Sequence, residues 1–291
     1  MPNALIPELN GRRLTVDVAL KQPTILRSRI AELADDQVLL PNLFHPLGAK
    51  VEAGGLLYSV VQASDFFTTS IEKRTPGAEY KVVEGVDPEP KLAVVEDWGG
   101  KFQITDEQRA RNDVSWLDQQ TTQLANTITR KLDVATMAAI AAAGVGTVIP
   151  AANWEELVFV GPLDAITPSA DRPTAHIAEA QELADLEELG VTHDLLIVHP
   201  TQARQLRTAY AEGLDDMLKS AGLEMFANPR IPEGEAYVVE KAMVGTVGFE
   251  APLTVEVYDD RSTRSTWVQA YAVPAFAVDR PYAAKRIVLP A

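Results

Sequence analysis

From Leu92 onward the apolar side chains fall on alternate positions. Leu92, Val94, Trp98, Phe102 and Ile104 share the even places with Glu96 and Gly100. Ala93, Val95, Asp97, Gly99, Lys101, Gln103 and Thr105 form a more polar odd set. A period of two with one mostly apolar face predicts a long strand covered on one side. Gly99-Gly100 predicts a bulge or bend midway. At Thr105 the period changes. Thr105-Asp106-Glu107-Gln108 has the spacing of a capping box, in which the Thr105 hydroxyl accepts the N–H of residue 108 and Gln108 reaches back. Asp106 and Glu107 suit the positive end of a helix. Val114, Leu117, Leu124, Ile128, Leu132, Ala135 and Ala139 then trace one helical stripe, and Gly144 supplies the stop.

An unbroken helix over 106–143 would run about 57 Å. A compact ball of this chain length has a diameter of about 50 Å. The pattern therefore predicts a rod longer than the body, unless a kink near Asn112-Asp113 divides it. A coiled coil is disfavoured, because the stripe has one convincing Leu heptad step, Leu117 to Leu124.

Upstream, "GGLLYSVVQ" reads as another strand, and "IEKRTPGAEYKVVEGVDPEP" as a polar stretch punctuated by Gly and Pro with too few apolar residues for a core. The simplest geometry is a long hairpin, out along 55–70 and back along 91–104. Two strands alone are marginal, so the hairpin is expected to lie on something, most economically a neighbouring copy. The first forty residues are interrupted by Pro2, Pro7 and Pro23, and Arg12, Arg13, Lys21, Arg27 and Arg29 make them locally basic. They read as an extended arm with at most a short helix around "TILRSRIAEL".

Downstream the pattern is ordinary α+β. "RPTAHIAEAQELADLEELG", 172–190, predicts a helix with Ile177, Ala180, Leu183, Leu186 and Leu189 on one stripe and Gly190 as terminator. "DLLIVHP" predicts a short buried strand, and "PTQARQLRTAYAEG" a helix with Pro200 in its first turn. "AYVVEKAMVGTVGF" and "LTVEVYDDRSTRSTWVQAYAVPAFAVDRP" read as strands and hairpins.

The formal charge of −15 over 291 residues argues against a general grip on nucleic acid, which needs Lys and Arg. Acidity of this kind keeps a chain soluble at high local concentration. The absence of cysteine excludes disulfides and thiolate metal sites. "MPNALIPELNGRR" lacks the charged and apolar regions of a signal peptide, so none is expected. Residues 135–152 are uncharged over the length a bilayer requires, but they are mostly Ala and Gly and include Pro150. They read as a buried helix end followed by a turn, and no membrane partner is expected.

No residue pattern announces a catalyst. "GVGTVI" lacks the third glycine and the preceding strand of a dinucleotide loop, and no Walker A, H-E-x-x-H or G-x-S-x-G pattern occurs. His193 and His199 flank one strand and would share a face, but ordinary hydrogen bonds explain such histidines better than a metal. Glu155-Glu156, Glu187-Glu188, Asp215-Asp216 and Asp259-Asp260 read as solvated surface. Trp98 and Trp116 read as packing. No catalytic, cofactor-binding or metal-binding residue is assigned.

The order of these elements resembles the major capsid proteins of tailed bacteriophages with the HK97-type fold. The resemblance rests on a weakly structured arm, a polar hairpin containing "VEGVDPEP", the return strand "LAVVEDWGGKFQIT" entering a long helix, and the later "LLIVHPTQARQLR". In that family an acidic-glycine segment followed by proline sits in the extended loop, or E-loop, matched here by Glu84, Gly85 and Pro88. A strand ending in Asn-Pro opens a helix of the axial domain, matched by His199-Pro200 with His in place of Asn. The resemblance implies an α+β HK97-like fold with an N-terminal arm over 1–45, an extended loop and return strand over 46–104, and a spine helix and peripheral domain over 105–170. An axial domain over 171–255 and C-terminal strands over 256–291 returning to the peripheral domain complete it. It implies a structural, non-enzymatic shell protein of the virion, assembled in the host cytoplasm from hexamers and pentamers around double-stranded DNA. Lys73, Arg74, Glu84, Gly85 and Pro88 are the expected loop contacts between subunits. A portal protein, a decoration protein and a separate scaffolding protein, or no scaffold, are the expected partners, since the arm begins within forty residues of Met1. Lys50, Lys73 and Lys81 lie in or near the loop, but nothing local identifies a cross-link acceptor. Two readings stay open beside this one: an encapsulin-type compartment with the same fold, and a soluble α+β enzyme with an acidic site.

Overall fold

The computed structural model describes Leu20 and residues 39–290, apart from 63, 64, 66, 69, 70, 86, 87, 112, 113 and 163. The helix expected around 24–33 and the basic arm residues Arg12, Arg13, Lys21, Arg27 and Arg29 lie outside the described residues. The described elements begin with α1 (Leu40–Leu43), β1 (Phe44–Lys50), β2 (Gly55–Ser59), β3 (Pro90–Val94), β4 (Trp98–Thr105), α2 (Asp106–Arg111), α3 (Val114–Ala143) and β5 (Gly146–Val148). They continue with α4 (Pro173–Asp185), β6 (Leu195–Val198), α5 (Pro200–Tyr210), α6 (Leu214–Ser220), β7 (Glu224–Ala227), β8 (Glu235–Val239), β9 (Gly245–Asp260), β10 (Ser265–Ala277) and β11 (Ala284–Val288).

Three sheets organise these elements. A four-stranded sheet has the order β1-β9-β10-β4, a five-stranded sheet β5-β11-β8-β6-β7, and β2 pairs with β3 alone. The long hairpin β9–β10 centres the first sheet, and α3 packs across β4 and β10 through Leu117, Ala125 and Ile128 against Ile104, Val268 and Ala270. The five-stranded sheet is buried on both faces. Leu195, Ile197, Tyr237 and Val239 face one core with Leu39, Leu43, Phe44 and Ile140, while Leu196, Val198, Ala236 and Val238 face another with α4, α5 and α6. That is why "LLIV" reads as an unbroken apolar run rather than an alternation.

The capping box forms as its spacing predicts: the Thr105 N–H donates to Gln108 Oε1 at 3.0 Å, and the Gln108 N–H donates to Thr105 Oγ1 at 3.3 Å. The helical run is in two pieces, α2 and α3, with 112–113 outside the described residues. Thirty residues make α3 about 45 Å long. Gly144 ends it in the left-handed conformation at φ 69°.

The single long strand is corrected by the structure. It is two strands, and the break falls at 95–97 rather than at Gly99-Gly100. Both glycines lie in unbroken register with Tyr271 and Ala270. Their role is close approach: a Cβ on Gly99 would meet Tyr271 Cβ at 2.7 Å, and one on Gly100 would meet Leu124 Cδ1 at 2.8 Å. The irregularity belongs to the partner strand, where register shifts at Val273 and Pro274 and the Pro274 carbonyl accepts the Glu96 N–H at 2.9 Å. Across the break the buried face changes parity. Ile104 is buried in β4, but in β3 Ala93 is buried and Leu92 and Val94 face outward.

Other expectations shift as well. The hairpin is real but short, with Gly55 to Ser59 paired to Val94 to Pro90, so the outgoing strand stops well before residue 70. The helix expected over 172–190 ends at Asp185, which leaves Leu186 exposed, although Gly190 does adopt a left-handed turn. The segment 256–291 does not stay together. β10 lies in the four-stranded sheet, whereas β11 lies in the five-stranded sheet between β8 and β5.

Candidate assembly surface

The hairpin β2–β3 is attached by one face only. Ala93, Leu56, Tyr58 and Val95 pack on Ala275 and Ala277 of β10. Its other face carries Leu57 and Leu92, which are cross-strand partners, with Val94 beside them opposite Gly55. These three are 70%, 64% and 63% exposed, far more than an apolar cross-strand trio needs to be on a monomer that buries everything it can. Gly55 is required by this arrangement, since a Cβ there would stand 2.8 Å from Leu92 Cδ1. The outward strip continues into an open groove of about 440 Å³ between the hairpin and α3, lined by Val94, Trp98, Lys131, Val134, Ala138 and Phe276.

Beyond the hairpin the loop folds on itself at its tip. Lys81 Nζ pairs with Glu72 Oε1 at 2.9 Å, Arg74 donates to the Ala78 carbonyl at 3.1 Å, and the Arg74 guanidinium lies 4.7 Å from the Tyr80 ring centre. Ile71, Tyr80 and Val82 are nevertheless open to solvent. Surface ion pairs of this kind contribute little stability, but they lower the entropy lost when a loop docks.

Burial shapes two of the four histidines. Trp154 Nε1 donates to His176 Nδ1 at 3.0 Å, and burial lowers the pKa of that imidazole. His193 is pushed down to about 4, first by burial and then by the Lys285 charge. His199 caps α5 by accepting the Thr201 N–H at Nδ1, 3.2 Å away, which is the work an Asn side chain would do at that place. His45 Nε2 lies 3.0 Å from Thr246 Oγ1. No group of three or more His, Cys, Asp or Glu side chains that would hold a metal occurs among the described residues, and none of their helices is long and apolar enough to cross a membrane.

The sequence of this chain matches the family model described as phage capsid protein over residues 88–287. The chain belongs to the phage capsid protein family. No curated protein matches it by sequence. Its fold is similar to the capsid of cyanophage P-SCSP1u, at TM-score 0.62 and 15% identity over 88% of this chain and 91% of that one. It is also similar to the mature capsid of bacteriophage PhiM1, at 0.61 and 14% over 87% of each chain. A virus-like particle from Pyrococcus furiosus gives 0.59 and 15% over 91% of this chain and 98% of that one. The fold is α+β of the HK97 type, and the chain is a structural capsid protein.

The capsid protein does not gather its five sequence-predicted loop residues into one cluster. Lys73 and Arg74 lie in the folded tip, while Glu84, Gly85 and Pro88 lie on the returning stretch, all five exposed. Val86 and Asp87 of "VEGVDPEP" lie outside the described residues. Leu92 and Val94 were assigned to the covered face because alternation assigns strand faces only within one continuous strand, and Leu57 was not singled out. Glu187 was read as solvated surface. Instead both its carboxylate oxygens accept from Lys285 Nζ at 2.7 Å. Asp259 and Asp260 also do local work: Asp259 accepts from Thr266 Oγ1 at 2.8 Å, and Asp260 closes the β9–β10 turn through Ser262 and Thr263.

Proposed function

We propose that this capsid protein is the major subunit of an icosahedral head of a tailed phage, assembling from hexamers and pentamers around double-stranded DNA. The observation that carries the assembly reading is the outward apolar face of β2–β3. A strip made of Leu57, Leu92 and Val94 is stable in water chiefly when a second copy covers it. The loop reaching out from that hairpin, with Lys73, Arg74, Glu84, Gly85 and Pro88, supplies further contacts between subunits. Many modest contacts repeated around a closed shell add by avidity. The four-stranded sheet with α3 serves as the peripheral domain and the five-stranded sheet as the axial domain, so 284–290 go with the axial part.

The role is structural rather than enzymatic, which the capsid family match supports. The family match favours a phage head over an encapsulin-type compartment. Scaffolding, portal and decoration proteins are its partners, DNA is contained without sequence-specific contacts, and assembly takes place in the host cytoplasm before the protein resides in the virion. Deleting about residues 68–88 tests the loop's part. The chain is expected to remain folded and soluble but to form no normal shells by negative-stain electron microscopy, and wild-type-like shells would refute it. Nucleic acid rather than a cargo protein should copurify with particles made during infection.

A further inference from the structure

We infer that Asp133 is a coupling residue: its one buried carboxylate joins the start of α1, the long helix α3, and the turn at 228–231, so that displacement of either flanking segment is felt by the other. Asp133 Oδ1 accepts the Leu39 N–H at 2.9 Å, a contact spanning 94 residues of sequence. The Asn228 side chain donates to the same carboxylate. Asn228 is itself held, since its N–H donates to the Val198 carbonyl at 3.0 Å and its Oδ1 accepts the Arg230 N–H at 2.8 Å. With its oxygen engaged, what Asn228 offers Asp133 is its amide N–H. Leu39, Ile231, Met137 and Ile140 share one core cluster, so the three segments are packed together as well as bonded.

The chemistry is poorly suited to stability alone. Burial raises the pKa of Asp133, opposed by its hydrogen bonds and by the charge of Arg230, the charged group acting on it among the described residues. The start of α1 contributes the uncharged Leu39 N–H, and the turn contributes the uncharged Asn228 amide together with Arg230. An ionised carboxylate here therefore costs free energy that an aliphatic side chain would not. What it supplies is geometry: two acceptor oxygens that address two segments at once. In a shell subunit such a joint ties the placement of α1 to the orientation of the five-stranded sheet. That consequence rests on the shell reading, but the coupling itself is a property of the unassembled chain.

Hydrogen exchange followed by mass spectrometry on the purified chain tests it, comparing wild type, Asn228→Ala, Asp133→Ala and the double variant. Asn228→Ala is expected to raise exchange at 39–44 at least about fivefold, although the substitution lies on another segment. Asp133→Ala should raise exchange at both 39–44 and 228–231, and the double variant should match it at 39–44. Wild-type exchange at 39–44 in Asn228→Ala, or a further independent increase in the double variant, would overturn the inference. If Asp133→Ala raises exchange everywhere, Asp133→Asn decides. Its amide keeps one acceptor oxygen, so at least one contact is lost and both flanking segments should loosen together, whereas loosening of one with wild-type protection of the other, or full protection of both, refutes coupling. A wild-type chain that shows the coupling but forms no shells would count against the shell reading alone.

Discussion

Lys285 Nζ stands 2.7 Å from both carboxylate oxygens of Glu187, and the lysine side chain is 1% exposed. The pair fastens β11, beside the edge strand β5, to the turn after α4. It also explains the backbone at Gly146, where a Cβ would sit 3.0 Å from Lys285 Cδ and 3.3 Å from its Nζ. Removing one partner leaves a buried charge without a counter-ion. Glu187→Ala is expected to destabilise the chain by about 3 kcal/mol, at the low end for a broken buried pair because Glu187 is partly hydrated. Replacing both by apolar residues of similar size should recover most of that. Urea unfolding of the three variants measures it.

His193 makes stability fall in acid. Its imidazole is held near 4 by burial and by Lys285, against about 6.5 in an unfolded chain. The folded state therefore binds fewer protons than the unfolded one between these values. Stability from this residue is fully present above pH 6.5 and is lost as pH falls toward 4, by up to about 3 kcal/mol. His193→Asn should flatten that part of the profile. The check is the difference between wild-type and variant urea midpoints at pH 7 and pH 4.5.

Gly99 is expected to tolerate no side chain. The Cβ of Gly99→Ala would press on Tyr271 Cβ and stand 3.0 Å from the Ala270 carbonyl oxygen, which is backbone and moves only with the sheet. A loss of about 1–3 kcal/mol follows for such overpacking. Thermal unfolding of the purified variant reads it directly.

Leu57→Ser combined with Leu92→Ser separates folding from assembly. Both side chains face outward on a hairpin held by its opposite face, so unfolding should shift by less than about 1 kcal/mol. Shell formation should be lost. Light scattering and electron microscopy of matched preparations follow the assembly, and intact shells would remove the hairpin strip from the interface.

Much of the architecture was legible in local pattern. The capping box at Thr105, the stop at Gly144, the buried run Leu195–Val198 and the β9–β10 hairpin are signals carried within a few residues of chain, where hydrogen-bond spacing and periodicity act. The order of these elements was enough to resemble a capsid subunit. Tertiary structure decided the rest, because the deciding partners are far apart in sequence. Whether Leu92 or Ala93 is buried depends on a register shift at Pro274, and the role of Gly99 depends on Tyr271. Glu187 looked like one half of a solvated acidic pair until Lys285 came beside it, and nothing near Asp133 in sequence announces Leu39 or Asn228. Periodicity reports which residues share a face. Only packing says what that face meets.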